Sequence, residues 1–139
     1  MKPEAIFTPM LLLVAWTFVV LLFTGYKRFS AGFAGRVKGH DFRYGESGNV
    51  PGDVAVANRN LMNLLEMPVL FYVVCLAAFI TGHVTTFMVF VAWLFVGLRV
   101  AHSLVHLTYN RILHRFATYL ASNAALLAMW IGFAAGLSA

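Results

Sequence analysis

Four stretches of this chain are long and apolar enough to cross a lipid bilayer, at about residues 4–26, 54–82, 85–108 and 116–137. A transmembrane helix needs about 20 apolar residues. In hydrocarbon every backbone N–H and C=O must be satisfied internally, so such stretches fold as helices. Composition points the same way: 61% of the 139 residues are hydrophobic and 11% are charged, where a soluble domain carries about 25% charged residues. The expectation is an all-α, four-helix transmembrane bundle, a single integral membrane domain over residues 1–139 with a polar loop at about 27–53. The first stretch is too long for a secretory leader and meets Lys27-Arg28 directly, so it reads as a signal-anchor helix.

The basic residues set an orientation. Lys27, Arg28, Arg36, Lys38, Arg43 and Arg59 fall in or beside the first loop, and Arg111 and Arg115 flank the third. The second connection, around Thr81-Gly82-His83, has neither Lys nor Arg. The positive-inside bias then places loops one and three in the cytoplasm and both termini outside, with Lys2 opposing. This bias accounts for the net charge of +5, and no nucleic-acid partner is expected. Cys75 is the single cysteine, which excludes an internal disulfide. Asn49-Val50-Pro51-Gly52-Asp53 reads as a turn, with Asp53 the N-cap of the second helix. In the fourth stretch Ala128, Gly132 and Gly136 recur every four residues, a spacing that permits close helix approach within the chain or between copies.

Two charges interrupt the apolar runs, Glu66 in the second and Arg99 in the third. An ionised side chain near the bilayer centre costs roughly 2.5–3.5 kcal/mol, so such groups face protein and find partners. The expectation is that Glu66 and Arg99 pair, either to fix helix register or as part of a polar site. Residues three, four and seven apart share a helix face. Arg59, Asn63 and Glu66 obey that spacing, as do Arg99, His102, His106 and Tyr109, and Arg115, Tyr119 and Ser122. Each stripe runs toward the end assigned to the cytoplasm. Turned toward one another, or toward a neighbouring subunit, they would line a polar cleft. His102 and His106 at i, i+4 with Glu66 as a third ligand could suggest a metal, but no HExxH pattern supports it and buried membrane histidines usually just hydrogen-bond, so no metal site is expected. Arg115 reads either as a snorkelling interfacial arginine or as an anion site, and Tyr109 and Tyr119 either as interfacial aromatics or as its hydrogen-bonding neighbours.

Arg59-Asn60-Leu61-Met62-Asn63-Leu64-Leu65-Glu66-Met67-Pro68 and the run from Leu94 to Leu107 around Arg99-Val100-Ala101-His102 resemble the MAPEG superfamily, the membrane-associated proteins of eicosanoid and glutathione metabolism. The pattern from His102 to Phe116 is similar to its bacterial branch, which implies a multi-pass protein of the bacterial inner membrane. Counting on without gaps, Arg115 falls where the family keeps its catalytic arginine. The resemblance implies a homotrimer with the second helix at its centre and glutathione between subunits. It implies that Arg59, Asn63 and Glu66 contact the charged ends of the tripeptide, that Arg99 supports the third helix and pairs with Glu66 or with glutathione, and that Lys27 and Arg28 are candidates for another carboxylate contact; His102, His106, Tyr109 and Tyr119 are counted as further candidate ligand contacts. Arg115 would hold the sulfur as thiolate. The chain departs from the pattern at Leu61, where His or Gln is usual, at His106, where the prostaglandin branch has Tyr, and in the early placement of Pro68.

The function so implied is a glutathione-dependent transferase or peroxidase acting on lipid-soluble electrophiles, with membrane lipid, a lipophilic small molecule and its own copies as partners. The alternative is a non-catalytic protein binding lipid or another small ligand in the same cleft. A small four-helix drug exporter is a third class, but such proteins carry their glutamate in the first helix, where this chain has no charge between Glu4 and Lys27.

Overall fold

A computed structural model describes residues 2–138 and contains helices but no strand among them. The helices are α1 (Phe7–Phe33), α2 (Gly52–Leu65), α3 (Met67–Ile80), α4 (Thr86–Leu107) and α5 (Ile112–Leu137), with 3₁₀ turns at Pro3–Ile6 and Gly39–Phe42. They make a bundle of four spans, Pro3–Phe33, Gly52–Ile80, Thr86–Leu107 and Ile112–Leu137, each long and apolar enough to cross a membrane.

The second stretch, expected as one helix, is broken at Glu66, whose φ and ψ are −86° and −90°. Pro68 is the cause. It has no N–H to donate to the carbonyl of Leu64, and its ring crowds that turn. Val69 bonds instead to the Glu66 carbonyl at 3.2 Å. Hydropathy cannot register such a break, because both halves are apolar. α1 differs in the other direction, continuing about two turns beyond its apolar stretch. Lys27 and Arg28 support the extension. Lys27 lies over the Phe23 ring at 5.7 Å and Arg28 over Phe42 at 4.9 Å. Gly35, at φ 68°, then closes the helix, a conformation that glycine adopts without Cβ strain.

The core is built on α4. Met88, Val91, Ala92, Phe95, Val96, Arg99, His102, Ser103 and His106 are all buried at helical spacing, so one face changes from apolar to polar along its length. Leu13 and Val20 of α1, Phe71 and Val74 of α3, and Leu126 and Met129 of α5 complete the apolar part. Phe71 stacks on Phe95 with centroids 4.6 Å apart. Near the turn between α3 and α4, a Cβ at Gly132 would lie 3.2 Å from Phe87, and one at Gly136 3.3 Å from His83. These two glycines of α5 therefore serve packing within the chain.

The first loop is held by its own acids. Asp41 accepts from the Lys38 N–H at 2.8 Å and from Ser47 Oγ at 3.0 Å. The Lys38 contact chiefly, helped by Ser47 and opposed by burial, holds the Asp41 carboxyl below its ordinary pKa. Asp53 is not the N-cap that the turn motif suggests. α2 begins at Gly52 with Pro51 as N-cap, and the Asp53 carboxylate lies in the first turn, paired with Arg36 at 3.1 Å and Lys27 at 3.5 Å. Its charge still favours the positive end of the helix dipole.

Candidate functional site

Polar side chains inside an apolar bundle must bond to one another, and here they bond between helices. Thr24 Oγ1 of α1 donates to the Ala57 carbonyl of α2 at 3.1 Å. Asn60 Nδ2 of α2 donates to Ser103 Oγ of α4 at 2.7 Å. Arg99 Nη2 of α4 donates to Asn123 Oδ1 of α5 at 2.9 Å. His102 Nδ1 lies 3.0 Å from the Arg115 carbonyl and 3.2 Å from Thr118 Oγ1.

The expected pair of Glu66 and Arg99 is corrected by these contacts. The Arg99 guanidinium is fully buried (0% exposed), turned to Asn123 and placed over the rings of Phe95 (5.3 Å) and Tyr119 (5.2 Å). Glu66 sits at the helix break, exposed on the outside of the single chain, and forms no ion pair among the described residues. The register of α2 decides this, because Glu66 lies seven residues after the exposed Arg59, on the face opposite the buried Ala57 and Leu64.

Four of the expected site residues do converge. Asn63 of α2, His102 of α4, and Arg115 and Tyr119 of α5 line a cavity of about 250 Å³ with Ile112 and Phe116. Arg115 is fixed at one end, its Nη1 donating to Asn110 Oδ1 at 3.0 Å, while its Nε is buried without a partner. The carbonyl of Arg115 can only accept, so His102 Nδ1 carries a hydrogen. In the neutral ring Nε2 then keeps a lone pair, and it too is buried without a partner. A guanidinium with free N–H groups beside an imidazole lone pair can stabilise an anion and accept its proton.

The other expected residues lie elsewhere in the single chain. Arg59 is exposed on α2. His106 is fully buried and lines a second cavity, of about 240 Å³, with Lys27, Asp53 and Asn110, where α1, the start of α2 and the end of α4 meet the turn before α5. Tyr109 is exposed, its hydroxyl 2.9 Å from His114 Nδ1. Arg28 pairs with Glu46 at 3.3 Å and lines a separate, mostly apolar cavity of about 620 Å³ with Phe29, Phe33 and Phe42. No group of three His, Cys, Asp or Glu side chains suited to a metal ion occurs among the described residues.

Sequence reasoning missed Asn60, Ser103, Asn110, Thr118 and Asn123. The signal for Asn123 was present, four residues after Tyr119 on the stripe that begins at Arg115. Asn60 shares a face with Asn63 in the same way. A lone Ser or Thr in an apolar run gives no such signal, because it can bond to its own helix.

The model of the MAPEG family matches residues 6–135, nearly the whole chain. Neither a curated protein nor a solved structure matches it.

Proposed function

For a chain that belongs to the MAPEG family and is an integral membrane protein, we propose a glutathione-dependent transferase or peroxidase acting on lipid-soluble electrophiles at the Arg115 cavity. The observation that carries this reading is the convergence of Arg115, His102, Tyr119 and Asn63 from three helices on one cavity.

The chemistry follows from those groups. Glutathione carries two carboxylates, one ammonium and a thiol. His102 Nε2 accepts the thiol proton, and the Arg115 guanidinium holds the sulfur as thiolate. Tyr119 and Asn63 supply hydrogen bonds that orient the tripeptide. The thiolate attacks an apolar electrophile arriving from the bilayer, forming an S–C bond as the leaving group departs with its electron pair.

The site is completed by a second copy in a homotrimer. A cavity of about 250 Å³ is smaller than the roughly 300–1,000 Å³ of a typical ligand pocket. Arg59 and Glu66 are exposed on α2, and lipid against an ionised side chain near the bilayer centre costs roughly 2.5–3.5 kcal/mol. A neighbouring chain on that face removes the cost and brings Arg59 and Glu66 to the charged ends of glutathione. With loops one and three in the cytoplasm, the cavity opens to cytoplasmic glutathione.

Purified protein in detergent should conjugate glutathione to a dinitrophenyl halide, and millimolar glutathione should raise its melting temperature. Arg115→Ala should lower the conjugation rate by about 100-fold or more, the usual effect of removing one anion-stabilising donor. Unchanged activity in that variant would remove Arg115 from the mechanism. A melting temperature that responds to lipid but not to glutathione would favour the non-catalytic reading, for which the almost wholly apolar cavity of about 260 Å³ between Phe18, Leu61 and Tyr72 offers a place for an acyl chain.

A further inference from the structure

Asn110 lies between α4 and α5 and does two separable things. Its backbone is in the left-handed region at φ 50°, the one non-glycine residue so placed among the described residues. Its N–H donates to the Val105 carbonyl at 2.8 Å, which closes the last turn of α4. Glycine would meet that requirement with less strain, since it has no Cβ to crowd the carbonyl. The turn therefore does not explain why a carboxamide stands there. The side chain explains it, because Oδ1 accepts from Arg115 Nη1 at 3.0 Å. The amide is not needed as a helix cap either, since the N-cap of α5 is Arg111, which makes no side-chain bond to the helix.

An arginine side chain is rich in rotamers and loses that freedom when it is held. A guanidinium that wanders stabilises a developing anion poorly, because preorganisation is the source of the effect. Arg115 is anchored at its backbone by the first turn of α5, with its N–H on the Arg111 carbonyl at 3.0 Å. Asn110 fixes the far end of the same side chain. Nη2, which makes no hydrogen bond among the described residues, remains for a ligand in the cavity shared with His102 and Tyr119, while Nε is buried without a partner.

We propose that Asn110 is a positioning residue, holding the Arg115 guanidinium in the orientation in which it meets the sulfur. The consequence for catalysis rests on the thiolate reading above; the clamp itself does not.

Two variants separate turn from clamp. Asn110→Gly keeps the left-handed backbone and removes the acceptor. Asn110→Asp keeps both an acceptor and a tolerance for that backbone. Folding of each is checked by circular dichroism melting in detergent. The first readout is the rate at which phenylglyoxal modifies Arg115, mapped by peptide mass spectrometry with exposed Arg111 as internal reference. Asn110→Gly should raise the Arg115 rate several-fold, and Asn110→Asp should leave it near wild type. The second readout is kcat/KM for glutathione conjugation against pH. Asn110→Gly should lower it about tenfold at neutral pH and move the midpoint upward, because a loosely held guanidinium favours the thiolate less. Equal labelling in wild type and Asn110→Gly overturns the proposal. So does an unchanged pH profile in an active enzyme. A wild type without glutathione activity but with the labelling difference refutes the enzymatic reading and leaves the clamp standing.

Discussion

Removing Asn123 should cost more than an interhelical hydrogen bond usually does. Asn123 Oδ1 is the acceptor that the chain provides for the Arg99 guanidinium, at 2.9 Å. Arg99 is fully buried, and its Nε and Nη1 already lack partners. Asn123→Ala would leave the whole group unbonded except through the faces of Phe95 and Tyr119. A hydrogen bond to a charged group contributes about 1.5–3 kcal/mol, whereas neutral interhelical bonds in membranes average about 0.6 kcal/mol. The expected loss for Asn123→Ala is therefore about 1.5–3 kcal/mol. Arg99→Met should cost less, because it removes a buried charge and leaves only a neutral amide unbonded. Combined, the two should cost less than the sum of the singles, with a coupling of about 1–2 kcal/mol. Reversible unfolding in mixed micelles with rising SDS, followed by circular dichroism, measures all four corners of the cycle. A loss below about 0.6 kcal/mol for Asn123→Ala, or strict additivity, would show that Arg99 finds its real partner elsewhere, with Glu66 of a neighbouring copy the first candidate to examine.

Other expectations follow from single contacts. Ser103→Ala strands Asn60 Nδ2, which now donates at 2.7 Å, and should destabilise by about 0.6–1.7 kcal/mol in the same assay. Gly136→Leu should overpack against His83 and cost about 1–3 kcal/mol while crosslinking shows an unchanged oligomer; a lost oligomer with intact helices would instead place α5 at a subunit contact. The Asp41 carboxyl is held below its ordinary value, chiefly by the Lys38 N–H. Its contribution is therefore full above the unfolded pKa, about 4, and is lost as pH falls through the lower folded value. Hydrogen exchange in the loop around Asp41, corrected for intrinsic rates, should accelerate through that window in wild type and be pH-insensitive there in Asp41→Asn.

The four spans, their order and the family were legible in the sequence, because each depends on local composition or on spacing along one helix. Twenty apolar residues make a membrane helix whatever surrounds them, and the stripes on the third and fourth spans are set by 3.6-residue periodicity. The same logic placed His102, Arg115 and Tyr119 together correctly enough that they share one cavity. Partners were another matter. Glu66 and Arg99 were matched by sign and depth, yet Arg99 took Asn123, and Glu66 stayed on the exposed face of α2 that Arg59 shares. Which of two buried polar groups meets a third depends on how α2, α4 and α5 are rotated about their axes, and rotation is settled by packing across the whole bundle. Asn110 makes the same point at a single residue: the sequence shows an asparagine in a loop, and only the fold shows its amide on Arg115.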